Sequence, residues 1–257
     1  MRITALLENT ARRGDVQAEH GLSLFIETAH HTILFDMGQT DLFAKNAEAL
    51  GIDLAAVDVA VLSHGHYDHG GGLRTFLELN SRASVYMHKD AFLPHYNGTE
   101  KYIGLDPALA PCERIRFVDG ARRIGSHLHI APLPSCFEAS PASGLTERVG
   151  DAFIPDDFRH EQYLRIEEGE RRVLISGCSH RGVFPLLEVF RPHVLVGGFH
   201  YSKHPRDGAL ADVAERLAAF PTEFYTCHCT GEAQYAFMKE RMPNLHYLSC
   251  GETIEIK

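Results

Sequence analysis

The chain has 257 residues, 44% hydrophobic and 23% charged, which gives ample apolar material for a large core and excludes intrinsic disorder and collagen-like structure. Lys and Arg total 25 against 34 Asp and Glu, a formal charge of −9; this argues against a broad grip on nucleic acid phosphates but allows a local basic pocket for one small anion. No apolar run approaches the roughly 20 residues of a membrane span, and the first residues lack a signal peptide's apolar stretch, so the expectation is a soluble, cytoplasmic protein with neither membrane nor nucleic acid as partner.

Two apolar runs, 22–27 and 32–36, flank a polar turn and predict a β-hairpin. Thr40 or Asp41 can cap a helix whose Leu42, Phe43, Ala47 and Leu50 share one face, and Gly51 sits where a C-terminal glycine belongs. Residues 57–62 read as a buried strand that opens into a polar loop, 63–72, before Leu73, Phe76 and Leu77 mark another helix. Further strands are expected at 84–88, 114–118, 127–131, 162–167 and 172–176. Helices at 183–190, 208–220 and 232–241 interleave with strands at 194–196 and 224–226. The stretches 94–111 and 132–159 fit neither period and read as active-site loops. With no linker or repeat, the chain is expected to be one α/β domain, residues 1–257, with helices outside.

Histidine stands out, with 17 copies against no Trp. Imidazole is a poor core filler and a common metal ligand. The six cysteines, Cys112, Cys136, Cys178, Cys227, Cys229 and Cys250, are scattered through a chain too large to need disulfide staples and read as reduced thiols. Position is more informative than count. His64-x-His66-x-Asp68-His69 has a chance expectation of roughly 0.004. In an extended segment His64 and His66 share one side, and the following turn can swing Asp68 and His69 toward a second point. Neutral imidazoles with a carboxylate suit Zn, Mn or Fe, and two groups of ligands suit two ions.

The block 59–73 resembles the signature loop of the metallo-β-lactamase-fold superfamily, and nearly the whole chain fits its architecture. The resemblance sharpens with Glu19-His20-Gly21-Leu22-Ser23, Leu34-Phe35-Asp36-Met37-Gly38-Gln39, Ser63-His64-Gly65-His66-Tyr67-Asp68-His69, Ser176-Gly177-Cys178-Ser179-His180, Gly197-Gly198-Phe199-His200 and His228-Cys229-Thr230-Gly231. These are similar to the branch of dihydropterin-methyl-ribofuranosyl-aminobenzene-phosphate synthase-like proteins. The resemblance implies a four-layer αββα sandwich of two mixed sheets, with one or two divalent metal ions, zinc foremost, at the sheet edges. It assigns His64 and His66 to a first ion, Asp68, His69 and His228 to a second, and Asp36 to bracing a ligand's ring by hydrogen bond, with a turn cap before Gly38 as the alternative role of Asp36.

The sequence departs from the superfamily where Gly177-Cys178 stands in place of the usual bridging Asp. His180 then supplies the missing imidazole, and Cys178 is either a thiolate ligand or a small buried hydrophobe. An extended strand end would point both the same way. In an extended segment Cys227 and Cys229 face away from His228, so both read as packing groups. His30, His31, His127 and His129 lie on hairpin edges and read as surface or structural residues.

The implied chemistry is hydrolysis of a small ester or phosphoester by a metal-bound hydroxide, with Asp68 and His200 as catalytic groups. His200, Arg181 and Lys203 are the candidate substrate contacts, with Lys101 and Arg159 in the two long loops and His20 as a weaker candidate. The family name supports an alternative, a transferase joining a pterin to an aryl ribosyl phosphate; Cys178 leaves room for a metal-binding sensor without turnover. The expected partner is a small-molecule substrate, anionic where it is phosphorylated.

Overall fold

A computed structural model describes residues 1–137 and 144–257. Among these, the strands fall into two seven-stranded sheets and one four-stranded sheet. The first large sheet runs Thr253–Glu255, Arg2–Leu7, Ser23–Glu27, Thr32–Phe35, Val59–Val61, Ser84–His88 and Ile115–Val118. Its first four members pair antiparallel, and the rest, from Thr32–Phe35 onward, pair parallel. The second runs Leu245–Tyr247, Glu223–Thr226, Val194–Gly197, Arg171–Ile175, Tyr163–Glu168, Leu128–Ala131 and Arg122–Ile124. There the parallel pairs come first and the antiparallel pairs follow.

Both sheets are therefore mixed, and alternation along their strands sorts side chains into layers. Ile3, Leu24, Ile33, Phe35 and Val61 of one sheet meet Leu128, Leu164, Val173, Ile175 and Val196 of the other in a dry core between them. Leu34, Ala60 and Val85 face outward against Phe43 and Ala47 of the helix Leu42–Ala49 and Leu73 and Phe76 of Leu73–Leu79. On the opposite side Leu174, Leu195 and Phe224 pack on the helices Val183–Phe190, Gly208–Ala218 and Glu232–Lys239. The result is the αββα sandwich.

The hairpin and the helices form as their patterns predict, and Gly51 follows its helix with φ 69°. Four strands without a clear pattern, Arg2–Leu7, Arg122–Ile124, Leu245–Tyr247 and Thr253–Glu255, also join the sheets. The two supposed loops are corrected more deeply. His95–Asn97 and Lys101–Tyr102 from the first pair with Leu145–Val149 and Ala152–Pro155 from the second as an antiparallel sheet. Each strand is too short to declare itself, and each finds its partner in a distant segment. Residues 138–143, within the second expected loop, lie outside the described residues.

The parallel strands position the site. Asp36, the loop from Ser63, residues 177–181, His200 and His228 all follow the carboxyl ends of parallel-paired strands of the two sheets. Loops at that end converge on the sandwich edge, where ligands bind in open α/β sheets.

Candidate metal centre

Two histidines of the signature loop, His64 and His69, are each held by one ring nitrogen, and the holding groups fix what the other nitrogen offers. The buried Asp36 carboxylate accepts from the Ser63 backbone N–H at 2.7 Å, from Ser63 Oγ at 2.7 Å and from His69 Nδ1 at 2.7 Å. Because the Ser63 hydroxyl donates to Asp36, it accepts from His64 Nδ1 at 2.8 Å. Both rings therefore carry their proton on Nδ1 and present Nε2 as a lone pair. On the opposite wall, His228 Nδ1 donates to Asn9 Oδ1 at 2.8 Å, and its backbone N–H donates to Glu8 Oε2 at 3.1 Å.

The free nitrogens converge. His69 Nε2 lies 3.2 Å from His228 Nε2 and 3.3 Å from Cys178 Sγ, while Asp68 Oδ2 is 3.5 Å from His228 Nε2 and 3.8 Å from His69 Nε2. His64, His66 and His180 form an adjoining group with one donor atom each within 4.8 Å of the others; His64, His69 and Cys178 link the two groups. Nε2 of His64, Nε2 of His66 and both ring nitrogens of His180 are buried without a hydrogen-bond partner. Orphaned imidazole nitrogens facing one space are costly unless a ligand fills it, so the donor set fits one or two divalent ions, with His64, His66 and His180 able to hold one and Asp68, His69, Cys178 and His228 the other.

Protonation agrees with this. Burial drives His64 and His180 well below the ordinary imidazole value, lowers His66, and takes His228 down to about 4. All four rings are neutral at pH 7, the form that ligates. Burial also pulls on His69, but the Asp36 and Asp68 carboxylates more than offset it and raise that ring. Burial opposes ionisation of Asp68 as well, yet His69, His20 and His228 hold it well below the usual carboxylate range. Burial pushes the Cys178 thiol up, so without a cation it is a neutral S–H.

Four of the six non-glycine residues at positive φ among those described belong to this edge: Asp36, Ser179, His200 and His228. Such conformations are disfavoured and persist where surrounding contacts over-determine them. They also correct two expectations. Neither 177–180 nor 227–229 is extended. Ser179 at φ 55° sends Cys178 to His69 and His180 to His64. His228 at φ 49°, in the single turn His228–Thr230, brings Cys229 beside Cys178 and His228; Cys227 alone stays in the core between the sheets.

Several positioning residues carried no sequence signal. Gly65 N–H donates to His160 Nδ1 at 2.9 Å, so His160 carries its proton on Nε2, 3.3 Å from Asp156 Oδ2. Asp156 also accepts from His95 Nδ1 at 2.9 Å and lies 3.9 Å from His66 Nε2. Gly65 itself is required there, since a Cβ would sit 2.1 Å from the Ala91 carbonyl oxygen. Glu161 accepts from the backbone N–H groups of His180 and Arg181, at 2.9 and 3.2 Å, and so fixes the loop carrying His180. Each of these side chains is packed behind the loop it supports and comes from a distant segment.

A cleft of about 200 Å³ opens over the cluster, lined by His66, Asp68, Cys178, His180 and His228 together with His20, Tyr67, Lys101, His200 and Lys203. It adjoins a second of about 290 Å³ that shares His180, His200 and Lys203 and adds the apolar Phe158, Phe199 and Tyr201. His200 lies against His180, ring centroids 4.4 Å apart, and burial, with His66 and Lys203, lowers it to about 4. His20 Nε2 lies 3.1 Å from Asp68 Oδ2. Lys101 stands over the Tyr67 ring.

Two expected cations are elsewhere. The Arg181 guanidinium is buried and donates to the carbonyls of Leu133 at 2.8 Å, Pro134 at 3.0 Å and Phe137. Arg159 is engaged by Glu147, Asp157 and Asp90. His30 stacks on His127, His31 meets Asp58, and His129 faces Glu167. No helix among the described residues is long and apolar enough to cross a membrane.

The chain is 30% identical over 239 residues to an uncharacterized protein of Methanocaldococcus jannaschii, covering 89% of this chain and 90% of the relative. It is 26% identical over 270 residues to the 7,8-dihydropterin-6-methyl-4-(beta-D-ribofuranosyl)-aminobenzene-5'-phosphate synthase of the same organism, covering 93% and 90%. Its structure matches that of a metal-dependent hydrolase of the beta-lactamase superfamily with a TM-score of 0.85 at 31% identity, covering 100% and 99% of the two chains. The family model of the metallo-beta-lactamase superfamily matches residues 16–225. With its two-sheet sandwich and its histidine-rich edge, the chain belongs to the metallo-beta-lactamase superfamily.

Proposed function

We propose that the protein is a metal-dependent hydrolase of a small anionic ester or phosphoester, with zinc as the foremost metal. The observation that supports it best is the set of buried imidazoles beneath one cleft, each of His64, His69 and His228 anchored through Nδ1 and offering Nε2 toward the cluster. A divalent metal bound there supplies Lewis acidity and an activated water. Asp68, ionised and held by His20, accepts a hydrogen bond from the attacking water and aims it into the cleft. His200 is uncharged at neutral pH and donates a neutral N–H to the leaving group. Lys203 and Lys101 give an acidic chain a local positive rim for an anionic substrate.

The test is turnover of phosphodiester, phosphomonoester and lactone probes by metal-loaded protein in water with no acceptor. Hydrolysis of one class, reduced at least 100-fold in His66→Ala with the fold retained, is the expected result. No turnover of any probe, or an unaffected His66→Ala, overturns the reading.

A second reading rests on the synthase relative, 26% identical along nearly the whole chain, and on the two adjoining clefts, which suit a two-part substrate. In it the protein condenses a pterin with an aryl ribosyl phosphate. Turnover appearing only when both partners are supplied selects that reading over hydrolysis. Tight metal binding with neither activity selects a sensor.

A further inference from the structure

The hydrolase and synthase readings alike leave Cys229 without a task. It follows a ligand candidate directly, it is buried, and the turn at His228 rotates it out of the position an extended strand would give. One donor atom each from Cys178, His228 and Cys229 lies within 4.8 Å of the other two. Cys178 Sγ is at the same time 3.3 Å from His69 Nε2, and His228 Nε2 is 3.5 Å from Asp68 Oδ2. Cys229 Sγ itself lies 3.5 Å from the Cys178 carbonyl oxygen.

The space for that sulfur is built into the neighbouring strand end. A Cβ on Gly198 would sit 2.2 Å from Cys229 Sγ, so a side chain at 198 and a sulfur at 229 exclude each other. A thiol serving only as core filler belongs with apolar neighbours, as Cys227 does in the core between the sheets. Cys229 instead lines the polar cleft beside His228 and Asp68.

We propose that Cys229 is a metal ligand alongside Cys178 and His228, so that the second metal position, with His69 and Asp68 beside it, is a two-sulfur site. The inference rests on the reading of this edge as a metal centre. Two thiols with imidazole make a donor set of the kind zinc and iron(II) accept and magnesium does not. On binding, each thiol gives its proton to solvent and the sulfur lone pair to the ion; nothing is oxidised or reduced.

The experiment is cobalt(II) loading of the full chain under reducing conditions, with the near-ultraviolet thiolate-to-cobalt charge-transfer band read beside the visible d–d bands. Wild type should show about twice the charge-transfer intensity of Cys178→Ser or Cys229→Ser, and the double variant none. Full intensity in Cys229→Ser with unchanged d–d bands overturns the inference and leaves the metal centre standing. Absence of d–d bands in wild type overturns both. Should Cys229→Ser fail to fold, zinc X-ray absorption on wild type decides: a sulfur shell at about 2.3 Å averaging one sulfur per zinc at two zincs per chain supports two thiolates, and half that value overturns the second.

Discussion

The carboxylate of Asp36 meets His69 Nδ1 at 2.7 Å, although the two residues stand 33 positions apart and both are fully buried. The same oxygen takes the Ser63 hydroxyl, and through it orients His64. One side chain thus sets the ring orientation of two metal-ligand candidates that belong to different donor groups.

Asp36→Asn preserves volume but removes the charge and turns a donor toward Ser63 Oγ or His69. Loss of such a supporting partner weakens metal binding by about 10–100-fold. Competition against a chromophoric chelator measures it. Equal affinity in the variant would mean the rings are oriented without Asp36.

Metal should stabilise the fold strongly, because the apoprotein buries orphaned imidazole nitrogens. Free metal at 1,000 times its Kd contributes about 4 kcal/mol, which for a chain of this size is a rise in Tm of roughly 8–16 °C. Thermal unfolding of chelator-treated protein, with and without zinc, checks this. A Tm indifferent to zinc, manganese and iron(II) would remove the basis for the metal centre.

Lys203 and Arg181 separate substrate charge from structural charge. Lys203 is exposed at the junction of the two clefts, so Lys203→Met should raise KM for a phosphorylated substrate about tenfold, the scale of a charge-assisted hydrogen bond, with Tm unchanged. Arg181→Met should leave carbonyls of 133, 134 and 137 without their donor, lowering Tm by several degrees while keeping the ratio of KM for charged and neutral substrates. The opposite pattern, a stable Arg181→Met with selectively poor phosphate binding, would return Arg181 to the substrate.

The α/β alternation, the hairpin, the helices and the His64-x-His66-x-Asp68-His69 motif were legible because each is written in local spacing, whereas the αββα class and the roles of Cys178, His180 and His228 were implied by the family resemblance. His64, His66, Asp68 and His69 fall within six consecutive positions, and apolar periodicity marks most of the strands that carry the loops. What spacing cannot contain is the partner of a distant segment. Asn9, Glu161, Asp156, His160 and His95 reach the site through contacts that join residues up to 219 positions apart, and the short strands of the small sheet pair only with one another. Nor does composition disclose a backbone turned to positive φ at Ser179 and His228. Those two dihedrals decide which way Cys178, His180 and Cys229 point, because packing in the folded chain over-determines a conformation that local preference disfavours.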